Sequence, residues 1–353
     1  METNSVESGF LSIFALLTFF IFLIVSKFSH KLRNGILLDQ DFSKPQAFHK
    51  EAIYRSGGTA CIISFILFLG VNYLLFEKIF YEYFFICFSL FFIGYLDDIK
   101  IKISPNSRLL LMVIILIILI NTLSIKIMHV DLVFVNLWLH STVFSTIFVL
   151  FCFLFIINGA NLIDGFNGLL AIHMIIINSI LLSINMNNNH FEFSVFLIGQ
   201  IIILLSFLLF NFPKAKIFLG DSGSYFFGSL VALNTIYTNN LNPKISSFFF
   251  CILLFYLFFE VFFSFIRKIY QKKSPVLPDN KHLHMLTYKK IFQIFGVEKS
   301  NYMNSIVINS IFCILILPSV YFVENSLICK FWFFSLILIY ILFYFRLYSL
   351  TKN

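Results

Sequence analysis

The chain has 353 residues, 59% of them hydrophobic and only 12% charged, with a mean hydropathy of +0.93 and a formal net charge of +8. That much apolar surface cannot be hidden in one water-soluble core, so most of it must face lipid or other helices. The composition excludes a soluble globular enzyme, and the positive charge suits anionic headgroups and anionic ligands; it does not indicate nucleic acid.

Apolar runs of about 17 or more residues, enough to cross ~30 Å of hydrocarbon, fall at 10–26, 58–76, 80–96, 108–125, 142–157, 168–184, 194–211, 224–238, 246–265, 304–323 and 329–347. They predict an all-α polytopic membrane protein of about eleven transmembrane helices, ten at the least. Lys and Arg accumulate on the cytoplasmic side of membrane proteins. With the N-terminus outside, only Lys78, Lys126, Lys244 and Lys330 of the 25 basic residues lie outside. The others fall on the cytoplasmic segments 27–57, 97–108, 212–222 and 266–302 and on a cytoplasmic C-terminus; 158–167 is a further cytoplasmic loop. The first nine residues hold Glu2 and Glu7 and no base, so the first apolar run reads as an uncleaved helix rather than a signal peptide. No repeat or linker divides the chain, which predicts a single domain, 1–353. The six cysteines show no CxxC spacing and read as small core residues.

The polar residues gather in four islands on the cytoplasmic side: Tyr95-Leu-Asp-Asp-Ile-Lys100, Asn158-Gly-Ala-Asn-Leu-Ile-Asp-Gly-Phe-Asn-Gly-Leu169, Phe218-Leu-Gly-Asp-Ser-Gly-Ser224 and Asp279-Asn-Lys-His-Leu-His284. Any one has a plain explanation: Asp221 as a helix N-cap, Asp97 and Asp98 as solvated loop charges beside Lys100 and Lys102. Four on one face, in a chain with 17 acidic residues, call for chemistry. Carboxylates and amide oxygens hold a hard cation such as Mg²⁺, which binds phosphate oxygens, and basic side chains neutralise the remaining phosphate charge. Phosphoryl transfer fits best, because the repulsion between two phosphates is lowered by a metal and preorganised cations. Gly165, Gly168, Gly220 and Gly223 allow tight turns and close backbone approach, and a helix starting after Ser222 aims its free N–H groups at an anion.

The stretch Asn211-Phe-Pro-Lys-Ala-Lys-Ile-Phe-Leu-Gly-Asp-Ser-Gly-Ser-Tyr-Phe-Phe-Gly228, together with residues 158–169, Asp97-Asp98 and Ser274 to His284, resembles the MraY/WecA family of polyprenyl-phosphate N-acetylhexosamine-1-phosphate transferases, glycosyltransferase family 4. The likeness runs from about residue 38 to 290. It implies transfer of a sugar-1-phosphate from a UDP-sugar to undecaprenyl phosphate with release of UMP. It also implies Mg²⁺, or Mn²⁺ in its place, and a multi-pass inner (plasma) membrane enzyme working at the cytoplasmic face.

Carried over by residue, the resemblance makes Asp97 and Asp98 the pair that activates the lipid phosphate, with Asp97 as base, and makes Asp164 a further catalytic aspartate. It gives Asp221 to the metal and Asn161 to the metal or the nucleotide. Arg108 is the basic residue for the pyrophosphate, Asn158 is substrate-binding, and His282 and His284 form the HxH loop that receives the sugar phosphate. His49, eight residues before Gly57-Gly58, matches an early HxxxxPxxGG element. Met285 stands where many relatives have a third histidine, Tyr54 replaces a proline, and Ala47-Phe48 replace a basic pair. The HHHxE element of the peptidoglycan branch is not apparent. This favours the WecA-like side, which starts O-antigen, common-antigen or related surface glycans, over a phospho-MurNAc-pentapeptide transferase. The expected partners are a UDP-N-acetylhexosamine, undecaprenyl phosphate and membrane lipids, with a second copy of the chain as a candidate.

A secondary transporter would place ionisable groups near the bilayer midplane, and Glu260 is the one acid away from the ends of a predicted span, since Glu82 is the third residue of the run at 80–96. An intramembrane aspartyl protease would need GxGD, where Phe218 occupies the first glycine's position; a zinc protease would need HExxH, which does not occur. His129, His140, His173 and His190 fall outside or within spans and read as interfacial or core histidines.

Overall fold

The computed structural model describes residues 2–31, 36–40, 52–101, 103–274 and 279–351. Its helices in chain order are α1 (Glu2–Phe28), α2 (Gly57–Phe76), α3 (Tyr81–Asp98), α4 (Pro105–Thr122), α5 (Val133–Leu139), α6 (Thr142–Ile163), α7 (Leu169–Asn187), α8 (Phe191–Asn211), α9 (Gly220–Leu241), α10 (Ser247–Leu253), α11 (Phe255–Tyr270), α12 (Leu283–Tyr321) and α13 (Ser326–Leu350). Among the described residues, eight helices are long and apolar enough to cross a membrane, nine if α10 and α11 form one broken span. The chain is an all-α multi-pass membrane protein.

Two further helices lie at predicted runs but differ in character. Helix α3 carries Glu82, Asp97 and Asp98, and α9 is studded with Ser, Asn and Thr. The polarity of α9 follows from its place at the centre of the bundle, where its neighbours are other helices rather than lipid. Asn234 donates to Asn178 of α7 (2.9 Å) and to Gln200 of α8 (2.7 Å), so interhelical hydrogen bonds fix its register. By contrast, only 17% of the spanning window of α1, α4 or α13 is buried by protein, which leaves the rest of these apolar helices for lipid.

Helix α12 is interrupted at Gly296 (φ +70°), and only its part from Lys299 to Tyr321 is a candidate span. Three other local features depart from a plain bundle. The run at 246–265 is broken, α11 turning 74° from α10. The short helix α5 and its exposed Val133, Phe134, Leu137 and Trp138 lie between two long helices. Two-residue strands, β1 (Leu38–Asp39) and β2 (Ile53–Tyr54), pair antiparallel with Leu38 opposite Tyr54, and Tyr54 also bridges Ile217 in parallel. Backbone bonds from Gly57 N–H to Phe218 O (2.9 Å) and Gly58 N–H to Leu219 O (2.8 Å) carry that pairing to the doorstep of α9.

Candidate active site

The site forms where the end of α3 meets the start of α9. A side chain at Gly94 would collide with the backbone of Asp221, so glycine there lets the two helices touch. Gly220 opens α9 with φ +78°, a left-handed conformation suited to glycine. Behind it, the Asp98 carboxylate accepts the N–H of Asp221 through Oδ1 and that of Ser222 through Oδ2, both at 3.0 Å. Asp98 is thus a cap supplied by another helix, satisfying two N-terminal amides that α9 cannot satisfy itself. It is 2% exposed.

Asp97, its neighbour, points elsewhere. Arg108 sits in the first turn of α4, whose N-cap Ser104 accepts the N–H of Ser107. From there its Nη1 lies 2.6 Å from Asp221 Oδ2 and 3.3 Å from Asp97 Oδ2, and its guanidinium lies over the Tyr225 ring. On the far side of Asp98 stands Arg55. It is gripped by Asp39 through Nη2 (2.7 Å) and Nε (3.1 Å), with Nη1 3.6 Å from Asp98 Oδ1. Burial alone would favour neutral Arg55, but Asp221, Asp39 and Asp98 outweigh it and hold the guanidinium charged.

Asp164 follows the last residue of α6 and accepts no hydrogen bond among the described residues. Burial, reinforced by the charge of Asp221, pushes its carboxyl up to about 8, against the pull of Arg55. Asn161, one turn earlier, donates to Ser224 Oγ (2.9 Å), and Ser224 donates to the Asp221 carbonyl. The amide of Asn158 donates back to Leu154 O on its own helix (2.7 Å). Both asparagines lie on α6 rather than in the loop expected at 158–167. His49 lies outside the described residues.

The histidines form a second cluster. His282 is the extended residue before α12 and His284 lies in its first turn; their rings are parallel within 3° at 5.6 Å. His282 Nδ1 is 3.0 Å from Glu260 Oε1 and His284 Nδ1 is 3.2 Å from the Tyr256 hydroxyl, both partners from α11. His284 is fully buried, which pushes it down to about 3 and keeps it neutral. Arg267 donates to Asp279 Oδ2 (2.8 Å), Lys281 O (2.6 Å) and Tyr344 Oη (2.8 Å), pinning the turn that leads into the motif. Phe166, from the loop after Asp164, packs edge-on against His284 at 5.9 Å and joins the two clusters.

The first cluster therefore gathers Asp97, Asp98, Asp221, Asp164, Asn161 and Arg108 around one helix start, and the second holds His282 and His284. Arg55, Asp39 and the role of Glu260 were not foreseen. The signal for Arg55 was its place directly before Ser56-Gly57-Gly58, a cation on a glycine turn. Glu260 is not a free midplane acid: among the described residues its hydrogen-bond partners are His282, the N–H of Leu283 and Tyr340 of α13, which removes the residue that favoured a transporter.

The glycosyl transferase family 4 profile matches residues 80–239, which include both aspartate islands and Asp221. The chain is 26% identical, over 78% of its length and 80% of the relative's, to an undecaprenyl-phosphate alpha-N-acetylglucosaminyl 1-phosphate transferase of Thermotoga maritima. It is 30% identical to a phospho-N-acetylmuramoyl-pentapeptide-transferase of Clostridium perfringens, over 60% of this chain and 68% of that one. A probable undecaprenyl-phosphate N-acetylglucosaminyl 1-phosphate transferase of Bacillus subtilis is 32% identical over 36% of each chain. With its four polar islands in order and its acidic helix junction, the chain belongs to glycosyl transferase family 4, the MraY/WecA family, and is a membrane-embedded phosphosugar transferase.

Proposed function

We propose that this enzyme transfers an N-acetylhexosamine-1-phosphate from a UDP-sugar to undecaprenyl phosphate, giving the undecaprenyl-diphospho-sugar and UMP. The observation that carries the reading is the junction of α3 and α9, where Asp97, Asp98 and Asp221 meet Arg55 and Arg108. A lipid phosphate oxygen attacks the phosphorus that bears the sugar, the bond from that phosphorus to the bridging oxygen breaks, and UMP leaves. Asp97 accepts the proton of the lipid phosphate. Asp98, with both oxygens engaged, holds α9 in place so that Asp221 faces Asp97. Arg108 and Arg55 neutralise the pyrophosphate, and His282 and His284 receive the sugar phosphate, with Asn158 and His49 as further substrate contacts.

The donor set suits Mg²⁺ or Mn²⁺. Among the described residues no three His, Cys, Asp or Glu side chains are close enough to hold an ion by themselves, but Mg²⁺ needs only one or two carboxylates beside phosphate and water. Asp221 and the amide oxygen of Asn161 would hold it, and Asp164, which accepts no hydrogen bond among the described residues, feels the charge of Asp221. Asp97, Asp98 and Asp164 all feel the charge of Asp221, and these four carboxylates against two arginines leave the excess negative charge that such a cation offsets. The metal would supply charge neutralisation on the pyrophosphate.

The glucosamine reading is favoured because the Thermotoga maritima relative aligns over more of the chain. It makes the enzyme the first membrane step of a surface glycan such as an O-antigen. The Clostridium perfringens relative supports phospho-MurNAc-pentapeptide transfer as the second reading. Eight or nine long apolar helices together with α3 and α9 support up to eleven crossings, and the basic loops flanking the site helices support an N-terminus outside and a site on the cytoplasmic face of the inner membrane. Membranes supplied with undecaprenyl phosphate, Mg²⁺ and either a panel of UDP-N-acetylhexosamines or UDP-MurNAc-pentapeptide test the proposal. Release of UMP with a lipid-linked sugar pyrophosphate from one donor is expected, and no product from any donor refutes it.

A further inference from the structure

The geometry points to Glu260 as the positioning residue for His282, the side chain through which α11 and α13 set the orientation of the sugar-phosphate histidine. Glu260 is 1% exposed, on a helix of the broken pair. An acid so deep in apolar surroundings persists only when its oxygens are satisfied. Its partners come from beyond its own helix. Leu283 N–H donates to Oε1 (3.1 Å), Tyr340 of α13 donates its hydroxyl to Oε2, and His282 Nδ1 lies 3.0 Å from Oε1. With donors aimed at both oxygens the group acts as a carboxylate, which only accepts, so Nδ1 of His282 carries the proton.

That bond fixes the ring. Nε2 is turned away from Glu260, and its nearest acid, Asp279 Oδ1, stands 3.6 Å off, too long for a hydrogen bond. Asp279 is itself held by Arg267 and by the N–H of Lys281, both at 2.8 Å. Among the described residues, His282 therefore has one nitrogen committed to the protein interior and one without a hydrogen-bond partner at the turn. The parallel stacking of His284 on His282 extends the same alignment to the second ring. Partners that orient a binding histidine from behind are worth roughly 10- to 100-fold in affinity where that histidine is a metal ligand, and the same arrangement serves an anion.

This role rests on the assignment of His282 to the sugar nucleotide. The test is a double-mutant cycle on the detergent-purified full-length protein, reading UDP-N-acetylglucosamine affinity by calorimetry and KM and kcat from product formation. Glu260→Gln and His282→Asn are each expected to weaken binding and raise KM about tenfold or more, and the double variant is expected to be no worse than His282→Asn alone. Glu260→Asp, which restores the carboxylate, should recover much of the loss. Tyr340→Phe, which removes one donor and keeps the ring, should show a smaller loss of the same kind, and it serves should Glu260→Gln fail to elute as a monodisperse peak. Additive losses in the cycle, or a Glu260→Gln protein that binds like wild type, overturn the inference while leaving the transferase reading intact. A wild-type protein that neither binds nor uses any UDP-sugar overturns both.

Discussion

Arg108 Nη1 stands 2.6 Å from Asp221 Oδ2 and reaches Asp97 as well, so one guanidinium nitrogen occupies the gap between the two carboxylates proposed for the metal and the base. A divalent cation entering that gap competes with Arg108, and the displaced guanidinium is then free to face phosphate. Arg108→Gln is therefore expected to have opposite effects on two measurements. Mn²⁺ binding in the absence of substrate, followed by electron paramagnetic resonance, should tighten severalfold, because Asp221 loses its competing partner. Transfer should fall by about 10²–10³, the usual loss when one preorganised charge is removed from a developing anion. Unchanged Mn²⁺ affinity would falsify the competition.

The two adjacent aspartates divide their work by direction. Asp98 accepts two amides of α9 and is buried, whereas Asp97 faces Arg108. Replacing Asp98 by Ala leaves two helix N-terminal amides without an acceptor, a loss of about 1–2 kcal/mol by the standard of N-caps. The expected result for Asp98→Ala is a lower melting temperature in detergent together with lost transfer. Asp97→Ala is expected to abolish transfer with its melting temperature unchanged. Equal melting temperatures for the two variants would remove the distinction.

Much of the site was legible because charged residues are scarce in so apolar a chain. Asp97, Asp98, Asp164, Asp221 and the HxH pair stood out against the apolar runs, and their gathering follows from helix ends meeting on one side. The helix runs were legible for the same reason, since hydrocarbon thickness sets their length. What stayed hidden depends on contacts between distant segments. Nothing in the local sequence says that Arg55 folds back through the β1–β2 pairing onto Asp98, or that Glu260 meets His282 and Tyr340. The break between α10 and α11 was also invisible, because Leu254 continues an apolar run with neither Gly nor Pro to mark the bend.

Gly220 offers a test of how tightly the junction is built. Its φ of +78° disfavours any other residue by about 1–2 kcal/mol. A methyl group there would also stand 2.5 Å from Asp98 Oδ2. The carboxylate cannot swing aside without releasing the amides of Asp221 and Ser222. Gly220→Ala is expected to lower the melting temperature and to reduce transfer, because Asp221 shifts with the start of α9. Gly165→Ala, where no atom lies within 4 Å of the added carbon, should keep the wild-type melting temperature. A Gly220→Ala protein as stable and active as wild type would show that the junction has slack.

The buried His284 gives a pH dependence of definite sign. Its folded-state value is depressed from an ordinary 6.5 to about 3, chiefly by burial, with the nearby His282 acting in the same sense and the acids Glu260 and Asp279 opposing it. Between these two values the unfolded chain binds a proton that the folded protein refuses, so the contribution of this residue is full above about 6.5 and is lost as pH falls toward 3. Thermal unfolding in detergent should therefore show a melting temperature that declines as pH falls from 7 to 4. His284→Gln, with no titrating group at that position, should decline less over the same range, and the two profiles should run parallel above pH 7. Parallel profiles across the whole range would mean that His284 takes up its proton in the folded protein as readily as in the unfolded chain, which its complete burial beside Tyr256 opposes.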